Sequence, residues 1–185
     1  MKADFKVTID ACVLANYPVC DLLLRLAEKP RLYLPIWSDE ILKEVFRTQT
    51  TKLSWPAGLA QHFKSEVNSA FPEASVSDFE HIIPSLKNHE KDRHVLAAAI
   101  HSDSSLILTF NLKDFPNHAL EPWKVEACHP QDYLIVLHEM EPIQMASRIA
   151  AIAAQRKMDQ LDLLLKLGKS LPAFASRLID DLNLA

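Results

Sequence analysis

Glycine is nearly missing from this chain: Gly58 and Gly168 are the only two in 185 residues. Neither stands in a G-x-G or Walker-type context, which excludes a glycine-rich loop wrapped around a nucleotide phosphate. Cysteine is scarce as well. Cys12, Cys20 and Cys128 form no C-x-x-C pair and no zinc spacing, so a disulfide framework and a zinc-ribbon module both drop out. No signal-peptide pattern and no apolar run of bilayer-spanning length is present, and the expectation is a reduced, cytoplasmic protein without membrane contact. A basic excess is lacking too. Twenty Lys and Arg face 24 Asp and Glu, a net charge of −4 that argues against general coating of nucleic acid. It leaves room for an enzyme that grips a short nucleic-acid segment through one local basic patch.

What is present suffices for a packed domain. A hydrophobic content of 49% supplies a core and 24% charged residues argue against disorder, so the length corresponds to one domain or one domain plus an appendage. Residues 5–9 alternate and are β-branched, which predicts a strand ending at Asp10. Residues 12–28 predict a helix bent or interrupted at Pro18. A short apolar strand over 31–37 follows, then a helix N-capped by Ser38 with Ile41, Leu42, Val45 and Phe46 as its buried stripe. Residues 54–88 read as polar-faced helices punctuated by Pro56, Pro72 and Pro84. Asp92 opens a helix with Val95, Leu96, Ala99 and Ile100 on its apolar face, and strands are predicted over 106–110 and 124–127. The order βαβ…αβ…β predicts an α/β fold with a mainly parallel sheet. Beyond Pro130 only helical segments remain, over 131–140, 142–157 and 159–183, the last broken near Gly168 and Pro172. The boundary expected is an α/β domain over 1–130 and a C-terminal helical extension over 131–185.

Acidic and amide residues stand where strands should hand over to helices or loops: Asp10, Glu44, Asp92, and the pair Asn111 and Asp114. In an open parallel sheet the carboxyl ends of strands converge on one crevice. Carboxylates gathered there repel one another unless a hard cation lies between them, which points to Mg²⁺ or Mn²⁺. Each acid also has a plainer reading. Asp10 and Asp92 could be helix N-caps, and Asn111 with Asp114 could form an Asx-turn before Pro116. Glu44 borders the buried stripe of its helix, where a carboxylate needs a partner. No Ser/His or Cys/His arrangement for a protein nucleophile is evident, and the eight histidines are scattered.

The segments 7–14, 34–45, 91–99 and 106–116, in that order and at that spacing, make the chain resemble the PIN domain, a nuclease fold shared by VapC-type toxins of bacterial toxin–antitoxin pairs and by RNA-processing enzymes. The resemblance spans about residues 5–130, and the helical tail is similar to the extension of a VapC-like subgroup. It implies a three-layer α/β/α fold with metal-binding acids at Asp10, Glu44 and Asp92. The fourth acidic position would fall on Asn111 or Asp114, with Asp114 compensating if the uncharged Asn111 occupies it. Cys12 departs from the family's usual Asn two residues after the first Asp. Thr109 and Ser38 would be hydroxyls behind the acids or at the substrate phosphate, and Arg93 and Lys113 phosphate contacts. His94 is more readily a packed or solvent-facing side chain than a substrate contact.

The activity implied is Mg²⁺- or Mn²⁺-dependent hydrolysis of RNA phosphodiester bonds, with a small antitoxin protein and a second copy of the chain as partners. A structure-specific DNA nuclease would use the same carboxylates. A non-catalytic PIN-like module that binds RNA or protein is the competing class, favoured by Asn111 and opposed by the intact Asp10, Glu44 and Asp92. A response-regulator receiver is disfavoured, because it needs an acidic pair at the first strand and a late lysine.

Overall fold

The computed structural model describes residues 4–184. Its frame is a five-stranded, all-parallel sheet in the order β3-β2-β1-β4-β5, built from β1 (Lys6–Ile9), β2 (Leu34–Ser38), β3 (Ser75–Val76), β4 (Leu106–Leu108) and β5 (Glu126–Cys128). β1 is the central strand, and Val7 pairs with both Pro35 and Leu106. Val7, Thr8 and Ile9 are all fully buried, as expected where helices cover both faces of a parallel sheet. The chain builds β2 and β3 on one side of β1, then returns to build β4 and β5 on the other. That reversal opens a crevice beyond the carboxyl ends of the central strands.

Helices sandwich the sheet. α1 (Ala11–Leu14) and α2 (Tyr17–Ala27) follow β1, and α3 (Asp39–Thr51) follows β2. Pro18 lies in the first turn of α2, so the break falls just ahead of it at Ala15 and Asn16; a proline there loses no helical hydrogen bond. Ser38 caps α3 by accepting from the Ile41 N–H at 3.2 Å, and Asp39 and Glu40 complement the helix dipole. α5 (Arg93–His101) crosses β1, β2 and β4. Its Ala97, Ala98 and Ala99 are fully buried, and their small side chains let the helix lie close to the sheet.

Three sequence-based boundaries shift, each for a local reason. Residues 54–88 hold one α-helix, α4 (Ala57–Ala70), followed by 3₁₀ turns at Pro72–Ala74 and Glu80–Ser85 with β3 between them. A two-residue strand is too short to carry any periodicity. β4 stops at Leu108 because the Phe110 N–H turns to Cys12 Sγ and the Asn111 N–H to Thr109 Oγ1. β5 starts only at Glu126, since Lys124 takes a left-handed conformation (φ 56°) after the 3₁₀ turn Glu121–Trp123, which itself follows α6 (Asn117–Leu120).

The tail forms α7 (Pro130–Met140), α8 (Pro142–Gln155), α9 (Gln160–Leu167) and α10 (Pro172–Asp181). α8 and α9 pack on α2, while α7 holds α10 and α8. Tyr133 of α7 meets Tyr33 edge-on, ring centroids 5.6 Å apart. Met145, Ile149, Leu164, Phe174 and Leu178 share one continuous hydrophobic cluster with β1 and α5. The tail is therefore part of the same core. Phe174→Ala, at a fully buried position, is expected to cost about 3–5 kcal/mol, measured by urea denaturation; a loss below about 1 kcal/mol would show that the tail packs loosely.

Candidate metal centre

Asp10 leaves the end of β1 with 3% of its surface exposed. It occupies the N-cap position of α1, yet its carboxylate makes no capping bond. Two other groups donate to it. The Thr109 hydroxyl reaches Asp10 Oδ2 at 2.7 Å and the Cys12 thiol reaches the same oxygen at 3.0 Å. Thr109 Oγ1 accepts from the Asn111 N–H at 3.0 Å, which leaves its own proton aimed at Asp10. Burial and the Asp10 charge push the Cys12 thiol up to about 12, so it remains a protonated donor. The departure at Cys12 thus keeps a hydrogen bond to Asp10, with sulfur in place of nitrogen.

Asp92 likewise stands at an N-cap position, that of α5, without a side-chain capping bond. Its pKa is raised, first by burial, then by the charges of Asp10 and Asp114. Glu44, on the flank of α3, is raised by burial too. His94 and Arg47 pull it back, while Asp10 and Asp92 push it further up. Asp92 thus feels Asp10 and Asp114, and Glu44 feels Asp10 and Asp92, although these acids come from the end of β1, the flank of α3, the start of α5 and the 3₁₀ turn Leu112–Asp114. Asn111 heads the 3₁₀ turn Leu112–Asp114 without a side-chain capping bond and is exposed, whereas Asp114 is partly buried.

The tightest set of possible ligand atoms is not the one singled out in the sequence. Among the described residues, the group of three that lie within 4.8 Å of one another is His89, Asp92 and Asp114. Asp10 and Glu44 fall outside that group and are linked to Asp92 through their charges. His89 escapes a search for paired histidines; its signal is the spacing His89-x-x-Asp92, which sets the two side chains 3.2 Å apart. His94 is 7% exposed, with Nε2 3.6 Å from Glu44 Oε2.

The hydroxyls and cations separate by burial. Thr109 and Ser38 are both buried, so a direct substrate contact gives way to a role behind the acids: Thr109 orients Asp10 and Ser38 caps α3. Arg93 donates from Nε to the Asn88 carbonyl at 3.3 Å and lines a cavity of about 420 Å³ with Glu44, Arg47, Lys91 and His94. Lys113 is exposed in the turn before Asp114. Oxygen donors that are half-buried, mutually repelling and unused as helix caps fit a hard divalent cation.

The raised carboxyls have a measurable consequence. The folded protein holds protons on Glu44 and Asp92 more tightly than the unfolded chain does, between the ordinary values of 4.5 and 3.8 and the raised folded ones. In chelator, stability from these groups is lost as pH rises through that window and regained as it falls. Asp92→Asn and Glu44→Gln are expected to flatten this dependence and to melt above wild type at pH 7 without metal. Unchanged pH slopes in melting curves would mean that the acids do not repel.

The chain is 32% identical over 134 residues to "Putative ribonuclease VapC50" of Mycobacterium tuberculosis, an alignment covering 68% of this chain and 78% of that protein. No family model matches the chain, and no solved structure matches it. A relative this similar over most of both chains, on an all-parallel sheet with acids gathered at its switch point, settles the family. The chain belongs to the VapC-like PIN-domain family.

Proposed function

We propose that the protein is a Mg²⁺- or Mn²⁺-dependent endoribonuclease, the toxin of a toxin–antitoxin pair. The observation that carries this reading is the grouping of Asp92 and Asp114 with His89 within 4.8 Å, near a buried Asp10 that, like Asp92, makes no capping bond. The relative from Mycobacterium tuberculosis, named as a ribonuclease, supports RNA as the substrate class.

Asp10, Glu44 and Asp92 would hold the ion, with Asp114 at the rim. Once bound, the cation supplies activation of water and neutralisation of charge on the reacting phosphate. The chain's own work is placement. Thr109 and Cys12 both donate to Asp10 Oδ2, fixing the carboxylate's rotation. Glu44 is steadied between His94 and Arg47. Arg93, Lys91 and Arg47 line the adjoining cavity and would track the RNA backbone as phosphate partners, with exposed Lys113 on the other flank. The lining balances these three cations against Glu40, Glu44 and Glu90, so a chain of net charge −4 still offers phosphate partners at this one place. The same reading brings a small antitoxin protein, a homodimer and a cytoplasmic setting; no helix among the described residues is long and apolar enough to cross a membrane.

Asp10→Asn preserves shape and hydrogen bonding but removes an anionic ligand. Cleavage of single-stranded and hairpin RNA is expected to need Mg²⁺ or Mn²⁺, to stop in EDTA and to fall at least about 100-fold in Asp10→Asn, with the variant still folded. Full activity in chelator or in the variant would sink the mechanism. Equal cleavage of single-stranded DNA would sink the assignment of RNA. Thr109→Val, which keeps the shape and removes the hydroxyl, is expected to lower kcat more than KM, because it loosens Asp10 without touching the RNA.

A further inference from the structure

An imidazole, that of His89, stands among the acids. His89 precedes the 3₁₀ turn Glu90–Asp92 that leads into α5. Its backbone N–H donates to the Asp114 carbonyl at 3.1 Å, tying this loop to the turn after β4. Nδ1 lies 3.2 Å from Asp92 Oδ2, and single ligand atoms of His89, Asp92 and Asp114 all fall within 4.8 Å of one another. A simple surface ion pair would explain His89 with Asp92, since exposed pairs at this spacing are common and weak. It leaves unexplained why a second carboxylate, Asp114, crowds the same point and raises the pKa of Asp92. A second observation comes from the inner wall. His94 Nε2 is buried, has no hydrogen-bond partner and faces Glu44 at 3.6 Å. A buried polar atom left unpaired against a carboxylate calls for a further occupant of the crevice.

We infer that His89 Nδ1 is a metal ligand alongside Asp92 and Asp114, and that this nitrogen makes the site prefer a transition-metal ion over Mg²⁺. Mg²⁺ takes oxygen donors in a near-ideal octahedron and sheds water reluctantly. An imidazole nitrogen instead favours the later first-row ions, with affinity rising from Mn²⁺ through Co²⁺ and Ni²⁺ to copper and falling again at Zn²⁺. The inference rests on the proposed metal-dependent function, yet it can fail separately from it.

The test uses the full chain, freed of metal with chelator and loaded with Mn²⁺. Pulsed electron paramagnetic resonance is expected to show ¹⁴N coupling to Mn²⁺ in wild type and in His94→Ala, and to lose it in His89→Ala. Calorimetric titration should show His89→Ala weakening Co²⁺ and Mn²⁺ by roughly tenfold or more, with Mg²⁺ affinity changed by less than about twofold. His89 is half exposed, so its replacement should leave the melting curve in chelator unchanged. Nitrogen coupling that survives in His89→Ala, or equal losses for all three ions, overturns the assignment. RNA cleavage with Mn²⁺ bound by oxygen alone would remove His89 and leave the nuclease standing. No binding of any divalent ion would remove both.

Discussion

A carboxylate buried as deeply as Asp10 must be satisfied by its neighbours or lose its charge. Here it is satisfied across the switch point of the sheet. Thr109, just beyond β4, donates to it at 2.7 Å, and Cys12 donates from the first turn after β1. This contact needs β1 and β4 to be direct neighbours, with Val7 opposite Leu106 and Ile9 opposite Leu108. A shift by one residue would turn Thr109 away and leave Asp10 with the Cys12 thiol as its side-chain donor. The register of the central pair and the integrity of the site are therefore the same constraint.

The rest of the crevice is organised by repulsion. Burial raises Asp92 and Glu44, and the neighbouring acids raise them further. Such an arrangement is unfavourable in an isolated fold, and the surrounding packing must outweigh it. The fully buried alanines of α5 and the apolar stripe of α3 provide that packing. They hold Asp92 and Glu44 in place without offering either acid a full counter-charge. Strain of this kind belongs to sites that bind cations, where the ligand relieves what the fold imposes.

The helical tail contributes by thickening the core. Its buried leucines and Phe174 join the cluster beneath the sheet, and α8 and α9 back α2, which begins one turn beyond Asp10. Asn16, between α1 and α2, donates to Ser170 Oγ at 2.8 Å, a direct tie from the tail to the segment that carries the first acid. Stability of the tail and rigidity of the Asp10 segment are linked through this junction.

Local pattern in the sequence was enough for the strand–helix order, the apolar stripes of α3 and α5, the capping role of Ser38 and the tail's break near Gly168 and Pro172. These rest on nearest-neighbour rules: β-branched alternation, helical spacing, N-cap preference and proline's missing donor. The candidate acids were legible too, because carboxylates stand out at the ends of apolar runs. Local pattern could not decide whether Asp10 and Asp92 cap helices or face a cation, since both uses place an acid at the same position. The tertiary structure removes the capping use, by directing Thr109 and Cys12 onto Asp10 and leaving neither aspartate in a capping bond. It alone brought His89 to Asp114 and the Thr109 hydroxyl onto Asp10. β3 lay beyond reach for a related reason: two residues hold no period, and that strand exists only because β2 offers an edge to pair with. What depends on adjacent residues could be read along the chain; what depends on residues a hundred positions apart waited for the sheet to close on itself.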